Sequence, residues 1–397
     1  MRSPNIPYAE RLDHLRFFAV LAVISFHVFH PIYKKLAAVA SAYEAPVNAL
    51  SVFIMEGNTG VGLFFTLSGF LFARICLHNQ FDIRQFYLNR LLRIYPLFLS
   101  TLVLSICVNP APIDAFFTSL LSFNTLPTAV KNNFVDHLWS VGVEIQFYAL
   151  FPVLLLSYRK SGLKYLLQVL ILDVLIIAGL YFATGSTRDM VYATILGRLN
   201  QLVIGMIFGF SFDRIRKFAS NILVLPAALL AMSFALQWFH ACGGLPGTGR
   251  NSLWIFWPSL EALLWGGVIC SYQACNAKIP NILSRPLAYL GAMSYSLYVT
   301  HYFIACTLWP MFVSLLQAPH SRYKFLLPLQ DLLLKHPLET SLWAGTFLIL
   351  PPTLLLSVLT FNVIEKPFMN IRRKYAFPVE VSLADVEHED KKLASQH

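Results

Sequence analysis

Long apolar runs separated by short polar segments recur along the whole chain. Ten of them approach the roughly 20 mostly apolar residues that a helix needs to cross a bilayer. The run near 94–109 is the shortest, and the apolar stretch 113–123 that follows it is typical of an interfacial or re-entrant segment. The pattern predicts an all-α integral membrane protein with about ten transmembrane helices. The ten runs lie near residues 13–30, 60–78, 94–109, 138–157, 164–184, 191–212, 220–240, 253–273, 287–312 and 341–364.

Composition agrees with this class of protein. Hydrophobic residues make up 57% of the 397 residues and charged residues only 13%, whereas soluble domains carry about 25% charged residues. The net charge of +10 is typical of cationic cytoplasmic loops and does not indicate a nucleic-acid partner. The six cysteines show neither CxxC pairs nor zinc-ligand spacing, so we expect no disulfide framework and no metal site.

The distribution of lysine and arginine predicts the orientation of the spans. With the N-terminus inside, 20 of the 30 lysines and arginines fall in inner segments and eight in outer segments. Because cytoplasmic loops carry the excess of cations, both termini are expected in the cytoplasm. Residues 1–375 would then form a multi-pass domain in the inner (cytoplasmic) membrane, and 376–397 a short, polar, disordered cytoplasmic tail.

A few ionisable side chains interrupt the apolar spans, and each costs about 2.5–3.5 kcal/mol on insertion scales. Arg16 and His27 are eleven residues apart in the first span, so they share a helical face and lie about 16 Å apart along the axis. This places Arg16 at the cytoplasmic mouth and His27 near mid-membrane. A snorkelling anchor is the alternative interpretation of Arg16, and a buried, hydrogen-bonded histidine is that of His27.

Two further stretches bring polar groups to the depth of His27. They are HLWSVGVEIQFY, which contains Glu144, and SYSLYVTH, which contains Tyr298 and His301 on one face. A carboxylate beside an imidazole orients its tautomer and strengthens it as a base. We therefore predict that Glu144 orients His27 for general-base chemistry, with a structural buried pair as the alternative. Tyr298 is equally consistent with a polar stripe that joins helices.

A fourth stretch, FYLNRLLRIYP, carries Arg90 and Arg93 on a predicted cytoplasmic loop. Arginines three residues apart can bind a phosphate in bidentate fashion, although ordinary loop charge is the alternative. GVGLFFTLSGFLFAR and IEKPF are interpreted as packing segments, in which Gly69 permits close helix approach. Arg198 and Glu261 also lie within apolar spans and are candidates for an ion pair.

Taken in order, these stretches resemble the acyltransferase 3 family of integral-membrane O-acyltransferases. Members of this family modify O-antigens, peptidoglycan, exopolysaccharides, Nod factors and macrolides. The resemblance extends from YAERLDHLRFFAVLAVISFH through GLFFTLSGFL to IEKPF. The family's arginine–ten residues–histidine signature falls on Arg16 and His27, and its Arg-x-x-Arg falls on Arg90 and Arg93. His14 stands where the family commonly has glycine.

The resemblance implies the reaction and its participants. An acyl group, most commonly acetyl, would pass from cytoplasmic acyl-CoA to a hydroxyl of a glycan or lipid-linked saccharide, among membrane lipids and without a metal. Some members carry an extra extracytoplasmic hydrolase-like domain, which is not recognisable in this chain. The transfer is therefore expected to finish in the membrane domain or on a separate extracytoplasmic partner.

The resemblance also implies roles for residues of this chain. His27 would be catalytic, as a general base or as a carrier of the acyl group, and the family's Trp-Ser…Glu motif falls on Trp139 and Glu144. Acyl-CoA would be held by Arg16, Arg90 and Arg93, and the acceptor side would include Trp139, Tyr298 and His301. A proton-coupled transporter is the alternative function, because polar groups at mid-membrane on several helices also suit a carrier.

Overall fold

A computed structural model gives the architecture of the chain. It describes residues 5, 9–40, 48–77, 79–108, 117, 136–185, 188–245, 252–316 and 335–378. The predicted re-entrant stretch 113–123, except residue 117, and the predicted tail beyond residue 378 lie outside the described residues. The described part is built almost entirely of helices, as expected for a chain in lipid, where backbone polar groups must be satisfied within the segment.

The helices are numbered here in chain order. Short 3₁₀ turns at Asp136–Leu138 and Ser252–Ile255 precede α5 and α10. The helices are α1 (Glu10–Ala40), α2 (Ala49–Met55), α3 (Thr59–Cys76), α4 (Ile83–Val108), α5 (Trp139–Ser161), α6 (Leu163–Thr184), α7 (Arg188–Ala193), α8 (Ile195–Ala219), α9 (Val224–Ala241), α10 (Trp257–Ala274), α11 (Asn281–Ala292), α12 (Ser294–Leu316), α13 (Pro337–Trp343), α14 (Leu350–Thr360) and α15 (Lys366–Asn370).

The last three helices form one continuous rod. Two π-helical stretches, Ala344–Ile349 and Phe361–Glu365, join α13 to α14 and α14 to α15. Short π-helical stretches within α-helices are frequently found at functional sites. The second stretch ends at Glu365, a fully buried carboxylate.

Eight helices in the described part are long and apolar enough to cross a membrane. The prediction of an all-α integral membrane protein is therefore confirmed. The predicted spans at 253–273 and 287–312 are also helical, as α10 and as α11 with α12. The cytoplasmic location of the two termini stays a prediction. The eight candidate spans are Glu10–Phe29, Thr59–Cys76, Ile83–Val108, Trp139–Ser161, Leu163–Thr184, Ile195–Ala219, Val224–Ala241 and Glu339–Asn370.

Helices α3 and α8 make the most extensive helix–helix contact of the bundle, and α1 and α10 pack beside them. Glycines allow this contact, because a Cβ atom on Gly69 would overlap the carbonyl oxygen of Leu202. On the facing helix, a Cβ atom on Gly205 would overlap the carbonyl oxygen of Thr66. The interpretation of Gly69 as a packing residue is thus confirmed, and it follows the rule that small residues bring membrane helices together.

We expect Gly69→Ala to destabilise the protein by about 1–3 kcal/mol, because the added methyl group must push α3 from α8. Gly179→Ala is the matched control, since Gly179 lies on α6 with nothing within 4 Å of an added Cβ. That change should be neutral or slightly stabilising, as alanine favours a helix more than glycine does. Thermal unfolding in detergent would measure both variants. Equal midpoints for the two would contradict the role assigned to Gly69.

A small two-stranded clasp holds the segment after α15. Strand β1 (Asn79–Phe81) pairs antiparallel with strand β2 (Ala376–Pro378). The Asn5 side chain accepts hydrogen bonds from the backbone N–H groups of Tyr375 and Ala376, at 2.8 and 3.1 Å. The Asn89 amide on α4 binds the backbone of Arg373 on both sides, as donor at 2.6 Å and acceptor at 3.2 Å. Residues 371–378 are thereby fixed against the start of α4.

Candidate active site

A cavity of about 110 Å³ lies between α1, α3, α4, α5 and α12. Its walls are formed by residues that are far apart in the sequence. Five of the eight predicted site residues line it together, and the three others, His27, His301 and Trp139, are not among its described lining residues. The five are Arg16, Arg90, Arg93, Glu144 and Tyr298.

Arg93 is held by a carboxylate that the sequence interpretation treated as part of a packing segment. The Arg93 guanidinium forms an ion pair with Glu365, whose other oxygen accepts a hydrogen bond from Ser296 Oγ at 2.6 Å. Because Glu365 is fully buried, removing its partner would leave an uncompensated charge. A carboxylate at the end of an apolar run, just before Lys-Pro, was the signal that could have identified it.

Arg90 is enclosed by aromatic rings. Its guanidinium carbon lies 5.0–5.8 Å from the ring centroids of Phe72, Phe86, Tyr148 and Tyr375, a distance at which cation–π attraction operates. Within the described ranges, its buried Nε atom has no hydrogen-bond partner. These four rings form an aromatic box, which keeps the Arg90 cation in place without neutralising it.

Glu144 lies in the same cavity and accepts a hydrogen bond from the Tyr148 hydroxyl, one helical turn further along α5. Arg16 completes the cationic wall from α1, where it is paired with Asp13 at 2.6 Å and its side chain stays 30% exposed. The cavity thus combines three guanidinium groups from α1 and α4 with a carboxylate from α5. Such a set suits an anion that carries several phosphate oxygens.

His27 belongs to a separate histidine cluster. Its Nδ1 atom lies 3.1 Å from Nε2 of His301, and the two ring centroids are 5.2 Å apart. A third imidazole, that of His137, packs edge-on against His301 at 5.4 Å and stacks on Tyr302 at 4.6 Å. The part of the chain that the structure describes has no group of three or more His, Cys, Asp or Glu side chains arranged to hold a metal ion.

The hydrogen bonds of His301 assign the tautomers of the pair. His301 Nδ1 faces the backbone carbonyl oxygens of Tyr298 at 2.6 Å and Leu297 at 3.2 Å. A carbonyl only accepts, so Nδ1 of His301 carries the proton, and its neutral ring accepts at Nε2. His27 must then donate from Nδ1, which makes Nε2 the unprotonated, accepting nitrogen of the His27 ring. This is the arrangement of an oriented base.

The structure gives the position beside the His27 imidazole to His301, whereas Glu144 lies with Tyr148 and the arginines. The sequence predicted one depth for His27, Glu144 and His301, but in the packed bundle Glu144 faces Tyr148 and only His301 faces His27. His301 was predicted on the acceptor side, and its hydrogen bond to His27 was not foreseen.

Tyr298 connects the cavity to the histidine cluster. Its hydroxyl donates to the backbone carbonyl of His137 and lies 2.7 Å from Ser140 Oγ, while the residue lines the arginine cavity. The same ring lies 5.7 Å from the His301 ring. Tyr298 therefore lies between the arginine cavity and the histidine cluster.

Trp139 lies in a different polar cluster, at the start of α5. Its ring centroid is 4.8 Å from that of Tyr192, and the Arg198 guanidinium sits 5.4 Å from the Trp139 ring. Arg198 pairs with Glu261 at 3.8 Å, and Gln201 donates to Glu261 at 2.7 Å. The predicted Arg198–Glu261 pair is confirmed, and the acceptor-side role of Trp139 stays a prediction.

Comparison with known proteins agrees with the resemblance seen in the motifs. Residues 10–362 match the family model described as acyltransferase domain. The chain is 27% identical to the O-acetyltransferase OatA of Staphylococcus aureus (strain NCTC 8325 / PS 47) over 76% of this chain and 51% of that protein. It is 25% identical to the peptidoglycan O-acetyltransferase OatA of Listeria monocytogenes, over 74% and 49%. The chain thus spans about half the length of these relatives. No solved structure matches it.

Proposed function

The chain belongs to the acyltransferase 3 family, and we propose that it transfers an acetyl group from acyl-CoA to a hydroxyl of a glycan. One observation carries this proposal: Tyr298, which lines the arginine cavity, packs against His301, and His301 orients the imidazole of His27. A donor that carries phosphate groups needs the arginine cavity, and activation of a hydroxyl needs the oriented imidazole. The names of the relatives support acetyl as the group and a glycan as the acceptor.

The donor would bind with its phosphates on Arg16, Arg90 and Arg93. Guanidinium groups form paired hydrogen bonds with phosphate oxygens, and these three converge on one cavity from two helices. Arg16 lies about 16 Å along α1 from His27. The extended pantetheine arm of the donor would span that distance and present the thioester to the histidine.

The chemical step would use His27 Nε2 as the base. This atom takes the proton of the acceptor hydroxyl while the hydroxyl oxygen attacks the thioester carbonyl. The carbon–sulfur bond then breaks, and the proton passes to the departing CoA thiolate. His301 would act as a positioning residue, because it holds the Nδ1 proton of His27 and shares the positive charge that develops.

The same lone pair also suits direct attack on the thioester, which would give an acetyl-imidazole and free CoA before the acceptor arrives. The two routes differ in one observable. Labelled acetyl on the protein in a single-turnover quench indicates the covalent route, and its absence at full CoA release indicates the general-base route.

The proposed function can be tested with purified protein in neutral-lipid nanodiscs and acetyl-CoA labelled in the acetyl group. We expect release of the CoA thiol that increases when a peptidoglycan or polysaccharide preparation is added. Label should appear in the glycan as an alkali-labile ester. A protein that neither binds acetyl-CoA nor releases CoA would contradict the proposal, and labelled-solute uptake into proteoliposomes would then test the transporter alternative.

A further inference from the structure

Arg372 is a further cation close to Arg93 of the arginine cavity, although it is not among the lining residues of that cavity. It lies two residues beyond the end of α15, within the stretch that the β1–β2 clasp fixes against α4. From the sequence alone, it belongs to an ordinary run of positive charge, Arg372-Arg373-Lys374.

Contacts with Met369 place Arg372 beside Arg93. The Nε atom of Arg372 donates to the Met369 carbonyl oxygen at 3.0 Å, and the Arg93 guanidinium touches the Met369 sulfur. The Arg372 side chain is half-buried. Among the described residues, its two terminal amino groups have no hydrogen-bond partner, so both can still bind a ligand.

The charges around Arg372 are mostly of its own sign. Burial, followed by the positive charges of Arg93, Arg90 and Arg16, lowers the pKa of Arg372 to about 9. The opposing charge that acts on Arg372 is that of Glu365, which is already paired with Arg93. The positive charges of these arginines repel one another, and a bound anion would relieve that repulsion.

We propose that Arg372 binds a phosphate group of the acyl-CoA donor, so that the C-terminal clasp forms part of the donor site. This inference rests on the proposed function and adds a residue to it. The chemistry recognised is a phosphate oxygen on the nucleotide portion of the donor, which Arg372 reaches with its two free amino groups. The other source of the same chemistry would be an anionic lipid headgroup.

The test compares Arg372→Gln with Arg373→Gln. Arg373 is the matched control, since it is adjacent in the chain and carries the same charge. Its side chain is exposed, and the clasp contacts only its backbone. We expect Arg372→Gln to raise KM for acetyl-CoA about 10- to 100-fold, as loss of a charged hydrogen bond does, with kcat changed less than twofold. Arg373→Gln should stay within twofold of the wild type for both constants.

A second donor separates phosphate binding from a structural role. Acetyl-pantetheine carries the thioester but lacks the nucleotide phosphates, so wild type and Arg372→Gln should use it equally well. Equal KM values of the wild type and Arg372→Gln for acetyl-CoA would overturn the inference. An equal loss with both donors would overturn it as well, because the residue would then only support the fold.

Two further measurements distinguish the remaining cases. If the effect of Arg372→Gln appears only in phosphatidylglycerol nanodiscs and vanishes in phosphatidylcholine, a lipid headgroup is the occupant, and the donor assignment is overturned. Binding of 3′,5′-ADP, followed by thermal shift, tests the site without turnover. If the wild type binds this fragment and Arg372→Gln does not, while neither turns over acetyl-CoA, Arg372 is supported and the proposed reaction fails.

Discussion

His27→Ala is expected to lower kcat for acetyl transfer by about 10³-fold, which is within the range that a positioned base contributes. The imidazole of His27 is the group with an oriented lone pair, and alanine leaves no atom that could accept the proton of the acceptor hydroxyl. The arginine cavity is not lined by His27, so KM for acetyl-CoA should stay within about threefold.

The measurement is CoA thiol release together with label in the glycan, in nanodiscs and at saturating donor. His336→Ala is the matched control, because this histidine is exposed just before α13, and its removal should leave kcat unchanged. A His27→Ala protein that folds and still releases CoA at the wild-type rate would mean that His27 is a structural residue.

His301→Leu is expected to lower kcat by about 10²- to 10³-fold, because His301 acts on the reaction through its hydrogen bond to His27. Leucine cannot accept the hydrogen bond from Nδ1–H of His27. The His27 imidazole therefore loses both its fixed orientation and its defined tautomer. The loss of an equivalent orienting partner in serine proteases costs about 10⁴-fold, and a backbone-anchored histidine is a weaker partner than the carboxylate there.

His301→Gln separates orientation from packing. The glutamine side-chain oxygen can accept the same hydrogen bond, so this variant should be at least tenfold faster than His301→Leu. The pH dependence of kcat should keep its wild-type shape in His301→Gln, whereas His301→Leu should shift it. If both variants lose the same activity and both raise KM for acetyl-CoA, the histidine only packs the helices, and the tautomer argument fails.

Much of this site could be predicted because hydrophobic length and helical periodicity are local properties of a sequence. The eleven-residue spacing places Arg16 and His27 on one face of α1, and the apolar runs predict which groups reach mid-membrane. Depth, however, says nothing about the direction in which a neighbouring helix turns its side chains. The sequence predicts similar depths for Glu144 and His301, and only the packed bundle shows that the first faces Tyr148 and the second faces His27.

Two missed residues show where local patterns stop being informative. Glu365 looked like the polar end of an apolar run, but it ends a π-helical stretch and lies buried against Arg93. Arg372 looked like loop charge, because the two clasp strands have only three residues each and therefore no periodicity to detect. In both cases a contact between segments far apart in sequence defines the role.

The aromatic box around Arg90 has a consequence for the order in which the protein is synthesised. Three of its rings come from Phe72, Phe86 and Tyr148, but the fourth, Tyr375, is supplied by the clasp. Chains are made from the N-terminus onward, so a ribosome-bound protein that has already threaded most of its helices into the lipid still lacks one wall of the box. The Arg90 guanidinium is enclosed on all four sides only after Tyr375 has been translated.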